Sequence, residues 1–353
     1  MNGSARLLEV EGLRVHFETE DGLVRAVDGV SFGVDEGHTL GIVGESGCGK
    51  TVANLTILGL TRAANTRISG KVAFEGHDLL AFDEEELRAV RGNEIAMVFQ
   101  DPLSSLHPLY RVGAQIAEAV LAHQRTSDAV AQRRAIELLG EVGIPNPERR
   151  VDDYPHEFSG GMRQRAMIAM ALANEPKLLI ADEPTTALDV TTQAQILTLI
   201  DRLQVDLGMA VILITHDLGV VAENAEDVAV MYAGEIVERA PVEDIFAAPQ
   251  HPYTWGLLRS IPTIAPADSG PLIPIPGQPP SLIAVPSGCS FHPRCPYVRP
   301  RHREVEPRLE PLGGDRRHEV ACLLDPATRA RLWSELRAGR EPADQPAGDQ
   351  PAS

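Results

Sequence analysis

A glycine-rich octapeptide directly after a short apolar run is the feature that most constrains the fold. Residues 44–51 read Gly-Glu-Ser-Gly-Cys-Gly-Lys-Thr and match the pattern G-x-x-x-x-G-K-[ST]. The apolar residues 40–43 predict a buried strand, and a helical pattern follows the loop. Glycines let backbone N–H groups turn inward around an anion because no Cβ stands in the way. We therefore predict a phosphate-binding loop. It would consist of Gly44, Glu45, Ser46, Gly47, Cys48, Gly49, Lys50 and Thr51.

The last residues of the loop carry the groups that would contact a nucleotide and its metal ion. Lys50 would supply a point charge for the β- and γ-phosphates of a nucleotide, and the Thr51 hydroxyl suits Mg²⁺. Cys48 is interpreted as a small residue tolerated in the loop rather than a nucleophile, because no motif places a general base beside it. The competing interpretation, a glycine-rich turn that matches by chance, is disfavoured by the strand before the loop and the helical pattern after it.

An acidic strand end supplies the second half of the predicted site. Residues 178–183 form an apolar run that ends in Asp182 and Glu183. Asp182 would approach Mg²⁺, and Glu183 would approach a water opposite the γ-phosphate. For this segment alone, an acidic strand end that faces solvent is the simpler interpretation. Together with the phosphate loop, the segment favours a nucleotide-hydrolysing site.

The chain divides into regions of different character. Short apolar runs alternate with amphipathic stretches, which predicts an α/β core with a largely parallel sheet over residues 1–99 and 158–248. Ala-, Leu- and Glu-rich residues predict an inserted helical subdomain over 100–157. Thirteen of the 27 prolines fall between residues 262 and 311, so 249–325 is predicted to be an extended, loop-built appendage. A short helix and a disordered tail are expected over 326–353.

Charge and composition narrow the class of protein. The 32 Lys and Arg residues against 50 Asp and Glu give a formal net charge of −18, which argues against nucleic acid as a partner. No run of about eighteen apolar residues and no leader-like start are visible, so we expect neither a membrane span nor a secretory signal. Four cysteines do not form a disulfide scaffold in a chain of this length, so a reduced, cytosolic protein is expected.

A serine–glycine turn gives the sequence its family resemblance. Ser159, Gly160 and Gly161 open a predicted helix, and an exposed helix N-terminus is a natural anion site. With the phosphate loop, this turn resembles the signature of ATP-binding cassette (ABC) subunits. The resemblance implies a phosphate-loop NTPase fold and binding of ATP and Mg²⁺. It also implies a head-to-tail pair of cassettes, in which the turn of one subunit meets the γ-phosphate of ATP held by the other.

Four further residues resemble elements of the same family. Gln100 resembles the glutamine loop between core and helical subdomain, which implies a catalytic and Mg²⁺-binding role. Asp189, in Ala-Leu-Asp, resembles the D-loop, and His216 resembles the switch histidine that contacts the γ-phosphate. Phe17 is a candidate for the aromatic ring that stacks on adenine, although a single aromatic residue is equally typical of a core.

Segments outside the cassette narrow the resemblance. Residues 17–27, 251–254, 275–277 and 288–296 are similar to the ATPase subunits of oligopeptide, dipeptide and nickel importers. This resemblance implies an ATP hydrolase at the cytoplasmic face of the membrane that drives uptake of peptides or a related solute. It also implies three kinds of partner: a second ATPase subunit, identical or not, two transmembrane permease subunits and an extracytoplasmic solute-binding protein. The solute itself stays open.

The cysteines of the appendage suggest a metal site. Cys289, Cys295 and Cys322 resemble three members of a four-cysteine set in relatives, and His302 stands where a further cysteine would be expected. Three thiolates and one imidazole are able to hold a [4Fe–4S] cluster or a tetrahedral Zn²⁺. His292 and His318 are alternative ligands, and three reduced thiols that never meet are the opposite interpretation.

Three rival functions remain at this point. A cassette protein that acts on ribosomes or DNA usually carries two cassettes or a long coiled coil, whereas each motif occurs once here. An exporter ATPase is disfavoured only by the resemblance of the appendage. A nucleotide-binding partner that does not hydrolyse is disfavoured because Lys50, Asp182, Glu183 and His216 are all present.

Overall fold

The computed structural model describes residues 6–186, 188–260 and 274–340. The strands are β1 (Leu8–Thr19), β2 (Gly22–Val34), β3 (Thr39–Val43), β4 (Thr66–Phe74), β5 (His77–Asp78), β6 (Ile95–Val98), β7 (Leu178–Asp182), β8 (Ala210–Thr215), β9 (Asp227–Tyr232), β10 (Glu235–Pro241), β11 (Glu310–Leu312) and β12 (Asp315–Val320). The helices are α1 (Lys50–Ile57), α2 (Glu84–Val90), α3 (Pro102–Ser105), α4 (Val112–Leu121), α5 (Asp128–Glu141), α6 (Pro147–Arg150), α7 (Gly160–Ala171), α8 (Val190–Leu207), α9 (Leu218–Asn224), α10 (Val242–Ala247), α11 (Pro252–Arg259) and α12 (Pro326–Arg337). Short 3₁₀ helices span Pro155–Glu157 and Pro300–Arg303.

A mainly parallel sheet forms the centre of the fold. Within the described residues its eight strands run in the order β11-β12-β10-β9-β3-β8-β7-β6. The five strands from β9 to β6 pair in parallel, and every residue of β3, β7 and β8 is buried. Strands buried on both faces read as continuous apolar runs, which is why the sequence indicated β3 and β7. The predicted α/β phosphate-loop fold is confirmed.

A second sheet was not predicted. Strands β2, β1, β4 and β5 pair antiparallel in that order and form a four-stranded sheet in the described part of the chain. Its inner face shares a core with the parallel sheet, as Val15 and Phe32 contact the cluster that contains Ile42 and Ile180. The prediction of a largely parallel first half was therefore wrong for residues 8–34 and 66–78. β1 and β2 are long, half-buried strands, which are typical of antiparallel sheets.

Helices α3 to α6 lie between β6 and the turn that precedes α7. Helix α4 begins at Val112 with Arg111 as its N-cap, and α5 begins at Asp128 with Ser127 as its N-cap. Helices α4, α5 and α7 pack against one another through small and branched side chains such as Val112, Ala135 and Ala166. The limits 100 and 157 for a separate subdomain remain a prediction.

The appendage contains more regular structure than its prolines suggested. Helix α11 buries Tyr253 and Trp255, and α12 packs Leu332 and Leu336 against Trp255. Strand β12 pairs with β10, so the appendage adds two strands to the main sheet. Prolines stand at the first turns of α11 and α12, where a missing N–H costs nothing. Residues 261–273 and the predicted disordered tail at 341–353 lie outside the described residues.

A buried carboxylate joins the appendage to β10. Glu238 is fully buried and accepts hydrogen bonds from the backbone N–H groups of Gln250 (2.5 Å) and His251 (2.9 Å). Its third partner is Nε2 of His318 on β12, 2.9 Å away. Charged side chains are buried only where partners satisfy them, so this cluster fixes the appendage to the core.

In the part of the chain that the structure describes, no helix has both the length and the apolar character needed to cross a membrane.

Candidate nucleotide site

The phosphate loop lies between β3 and α1, as the sequence predicted. Gly49 is the N-cap of α1 and has φ 105°, a left-handed conformation that favours glycine. A Cβ on Gly44 would lie 2.2 Å from the carbonyl oxygen of Met231, and one on Gly49 would lie 2.1 Å from that of Ala26. The loop is thus pressed against the sheet at both ends, while Ser46, Gly47 and Thr51 face solvent.

Lys50 is held over the loop by the loop's own carbonyl groups. Its Nζ donates hydrogen bonds to the carbonyl oxygens of Gly44 (2.7 Å) and Glu45 (3.0 Å). The Cys48 sulfur lies 3.8 Å from the same Nζ, and burial raises the pKa of the Cys48 thiol above its ordinary value. A neutral thiol is a poor nucleophile. The geometry therefore concentrates positive charge in the loop and leaves Cys48 as a packed side chain.

Asp182 faces the phosphate loop from the end of β7. It is 4% exposed, and burial raises the pKa of its carboxyl group, while a hydrogen bond with Thr51 and the charge of Lys50 oppose that shift. Carboxylate and hydroxyl oxygens are the ligands that Mg²⁺ prefers. Because Asp182 and Thr51 meet beside the loop, the residues present fit a magnesium ion that would also contact a bound nucleotide.

Glu183 contacts side chains from two distant segments of the chain and one from its own turn. Its Oε2 accepts hydrogen bonds from Nε2 of Gln100 and Oγ1 of Thr186, each at 2.9 Å. Nδ1 of His216 lies 3.5 Å from Oε1. Glu183 has φ 45°, and its N–H donates to the carbonyl of Ile214 at 2.9 Å. A left-handed non-glycine residue is strained and persists only where its surroundings fix it, which is common at functional sites.

The serine–glycine turn lies beside the start of α8. Ser159 is the N-cap of α7, and its Oγ accepts a hydrogen bond from the N–H of Met162 at 3.3 Å. A Cβ on Gly161 would lie 2.8 Å from Cγ2 of Thr192. Asp189 caps α8 through the N–H of Thr192 at 3.0 Å, which lowers the pKa of its carboxyl group. The turn and the predicted D-loop are therefore neighbours, although Ala187 of that loop lies outside the described residues.

Phe17 lies on β1 opposite Val24 of β2 and Thr66 of β4. It is half-buried against the core that the two sheets share. Its stacking on adenine stays a prediction.

The predicted metal ligands line one cavity but do not adopt the arrangement of a metal site in this structure. Cys289, Cys295, His302 and Cys322 surround a space of about 10 Å³, roughly the room for one water. Among the residues that the structure describes, however, no group of three or more His, Cys, Asp or Glu side chains is arranged to hold a metal. Burial raises the pKa of all three thiols, that of Cys322 to about 11, which favours neutral groups. The iron–sulfur or zinc expectation is not supported by this arrangement.

Sequence reasoning missed three residues that contact the site. Thr186 holds Glu183, while Tyr253 and Arg294 contact Glu45 of the phosphate loop. Tyr253 and Arg294 belong to segments that were recognised only by resemblance, without a role. Thr186 follows the acidic strand end by three residues, and its position on a tight turn gave no periodic signal.

Comparisons with known proteins agree with the geometry. The family model described as "ABC transporter" matches residues 27–186, and "Oligopeptide/dipeptide transporter, C-terminal region" matches residues 237–301. The oligopeptide transport ATP-binding protein OppD of Bacillus subtilis is 52% identical over 91% of this chain and 90% of its own length. The dipeptide transport ATP-binding protein DppD of Escherichia coli is 50% identical over 92% of this chain and 99% of its own length.

Solved structures show the same core. A dimeric ATP-binding cassette in a post-hydrolysis state, bound to ADP and Pi, matches with TM-score 0.60 and 27% identity, over 67% of this chain and 98% of that one. The protein cbiO1 from Clostridium perfringens, part of an ABC transporter complex, matches with TM-score 0.58 and 28% identity, over 69% and 91%. The predicted resemblance is confirmed: this chain belongs to the ABC transporter family, among the ATP-binding proteins that carry the oligopeptide/dipeptide transporter C-terminal region.

Proposed function

We propose that this protein is the ATP-hydrolysing subunit of an ABC importer for di- or oligopeptides, or a related small solute such as nickel. The observation that carries the proposal is the convergence of Lys50, Asp182 and Glu183 beyond the carboxyl ends of β3 and β7, the two strands that flank β8. The 50–52% identity to peptide-transport ATP-binding proteins supports the peptide class.

Hydrolysis in this proposal depends on positioning rather than covalent chemistry. Lys50 and the loop amides would bind and neutralise the β- and γ-phosphates, while Thr51 and Asp182 would hold Mg²⁺. When bound, the ion would neutralise charge that develops on the phosphate oxygens. Glu183, held by Gln100 and Thr186 with His216 beside it, would orient the attacking water.

A second cassette would complete each site. Ser159, Gly160 and Gly161 lie at the N-terminus of α7, where free N–H groups and the helix dipole attract anions. The solved cassette that matches this chain is dimeric, which supports pairing of two cassettes here. We propose that this turn binds the γ-phosphate of ATP held by the partner ATPase.

An apolar groove supports a permease partner. A cavity of about 330 Å³ lies between β6 and helices α4 and α7, and one of its lining residues is Phe99, which directly precedes Gln100. Phe99 and Leu60 are 39% and 48% exposed at this groove. Its other apolar lining residues include Met97, Met167 and Met170. We propose that a docking element of a transmembrane permease inserts here at the cytoplasmic face, so that Gln100 couples its position to the nucleotide.

We also propose, as a separate hypothesis, that the appendage binds zinc or an iron–sulfur cluster. Its support is that one cavity brings together four side chains from different parts of the appendage: Cys289, Cys295, His302 and Cys322. Elemental analysis of anaerobically purified protein decides it: one zinc or about four irons per chain would establish the site, and neither metal would end the hypothesis. No step of ATP hydrolysis depends on the outcome.

The rival functions are less well supported. Action on ribosomes or DNA fits neither the matched C-terminal region nor the net charge of −18. An exporter ATPase is disfavoured because the matched oligopeptide/dipeptide transporter C-terminal region would have no evident role in it.

The decisive experiment is ATP hydrolysis by the chain purified with its two permeases, its second ATPase subunit, identical or not, and its solute-binding protein in lipid nanodiscs. We expect peptides presented by the binding protein to stimulate ATP turnover. Nickel is tested in the same assay as the alternative solute. Failure to associate with permeases, or turnover indifferent to every solute, would contradict the proposal.

A further inference from the structure

An ion pair connects the appendage to the phosphate loop. Nη1 and Nη2 of Arg294 donate to Oε2 and Oε1 of Glu45 at 2.5 and 2.9 Å. The two residues are 249 positions apart, and their side chains are 4% and 27% exposed. A bidentate pair between guanidinium and carboxylate fixes orientation as well as distance. Glu45 is therefore held in one rotamer by a residue outside the cassette core.

The backbone of Glu45 is held as well. Its N–H donates a hydrogen bond to Oη of Tyr253 on α11 at 2.9 Å. Its carbonyl oxygen accepts one from Nζ of Lys50 at 3.0 Å. The same oxygen accepts a further bond from the N–H of Cys48 at 3.3 Å. Every polar group of Glu45 thus has a partner, and two of its four partner residues, Tyr253 and Arg294, come from the appendage. The position of Lys50 over the loop depends on a residue that the appendage fixes.

Arg294 is itself held firmly in place. Its Nε donates to the carbonyl oxygen of Pro276 at 2.9 Å. Its guanidinium lies over the rings of Tyr232 and Phe291, 5.7 and 5.9 Å from their centroids. An arginine that is already stacked on aromatic rings loses little further conformational freedom when it forms a bidentate pair with a carboxylate. The appendage thus offers the loop a rigid support.

We propose that Arg294 and Tyr253 are positioning residues for ATP binding and hydrolysis, and that the appendage holds the phosphate loop in its binding shape. The inference rests on the proposed nucleotide site. Phosphoryl transfer depends on how accurately the loop amides and Lys50 meet the phosphates. Loss of the pair would also leave a buried charge without its partner. An appendage that disengages from Glu45 would therefore weaken the nucleotide site.

The test is a double-mutant cycle on the full chain. Arg294→Met, Glu45→Gln and the double variant are compared for the Kd of a fluorescent ATP analogue with Mg²⁺, and for kcat and KM. We expect each single variant to weaken binding about tenfold, and the double variant to be no worse than either. Arg294→Lys, which keeps the charge without the bidentate geometry, should recover part of the loss. Tyr253→Phe should have a smaller effect in the same direction.

Arg239→Met is the matched control. Arg239 pairs with Glu319 between β10 and β12, with side chains 20% and 17% exposed, and its other bond is to the carbonyl of Ser31. Hydrogen exchange of the amides at 46–51 should rise in Arg294→Met and stay at the wild-type level in Arg239→Met. Equal losses of Tm in both variants with wild-type Kd and kcat/KM would overturn the proposal. Wild-type protein that binds no ATP analogue would instead contradict the proposed function.

Discussion

Glu183 is the residue at which most of the predicted chemistry converges. It stands directly after the buried β7, in a left-handed conformation, with Gln100 and Thr186 on one carboxylate oxygen and His216 near the other. These partners fix the direction of the carboxylate. A water placed opposite the γ-phosphate would be oriented by that carboxylate.

Replacing Glu183 with glutamine tests this role. Glu183→Gln keeps the size and one acceptor oxygen but removes the charge, so we expect kcat to fall by about 100-fold or more. ATP binding should persist, and ATP should trap a closed dimer, measured by sedimentation.

Glu175→Gln is the control for Glu183→Gln, because Glu175 also has a left-handed backbone, with φ 53°, and pairs with Arg134 away from β7. Its turnover should equal that of the wild type. Wild-type turnover in Glu183→Gln would remove Glu183 from the mechanism.

A second residue-scale prediction concerns pH. Burial, with the neighbouring carboxylates Glu306 and Asp28, raises the pKa of Glu235 from 4.5 to about 7. The folded state therefore binds this proton more tightly than the unfolded chain does, and the stabilisation present below about pH 4.5 is lost as the pH rises through 7. Glu235→Gln should be more stable than wild type at pH 8 by about 2 kcal/mol, with little difference at pH 4.5. Urea unfolding of both proteins between pH 4.5 and 8 measures this difference in stability. Parallel curves of stability against pH for wild type and Glu235→Gln would refute the raised pKa of Glu235.

The sequence predicted site residues where a motif joins fixed spacing to known chemistry, as for Lys50 and Asp182. It did not predict Thr186, which lies on a turn without a periodic pattern, or Tyr253 and Arg294, whose partner Glu45 is distant in the chain. Arg294 and Glu45 are 249 positions apart. No local pattern encodes such a pair, so only the folded arrangement reveals it.

At the scale of elements, helix caps place the functional turns. Ser159 caps α7, Asp189 caps α8, and Asp217 caps α9 directly after His216. Each cap uses a side-chain oxygen to satisfy an N–H group that has no partner in its helix. The anion-binding turn is therefore also the device that begins α7.

Ser159→Ala separates these two roles. Loss of the cap should lower the free energy of unfolding by about 1 kcal/mol. Asp83→Ala is the matched control, because Asp83 caps α2 through the N–H of Glu86 and should cost a similar amount. Only Ser159→Ala should also weaken ATP-dependent dimerisation, measured by sedimentation in the Glu183→Gln background. Equal dimerisation of both variants would contradict the proposed γ-phosphate contact.

Elements were predictable where burial dominates. The apolar runs that became β3, β7 and β8 are buried at every position, and α8 ends at Gly208 in the left-handed conformation expected of a C-cap. The antiparallel sheet of β1, β2 and β4 was missed because bulges interrupt its alternating pattern. The strands of the appendage were missed because β11 and β12 are short and polar.

At the scale of the whole molecule, the groove between β6, α4 and α7 is where the proposed importer would transmit force. Leu60→Asp should prevent co-purification with the permeases, since a carboxylate in an apolar groove disfavours docking. Val205→Asp, at an 81% exposed position on α8, is the control and should co-purify normally. Both substitutions are at exposed sites and should change stability by no more than about 0.5 kcal/mol. Normal co-purification of Leu60→Asp would place the docking surface elsewhere.

The buried Glu238 cluster means that the appendage is not a detachable module. A chain cut before Gln250 would strip this carboxylate of all three donors and leave a bare charge inside the protein. It would also uncover the outer edge of β10, whose unpaired backbone groups invite another strand to add. Natural shortening of such a chain would therefore be selected against through misassembly and aggregation, in addition to the loss of the contacts that Tyr253 and Arg294 make with the phosphate loop.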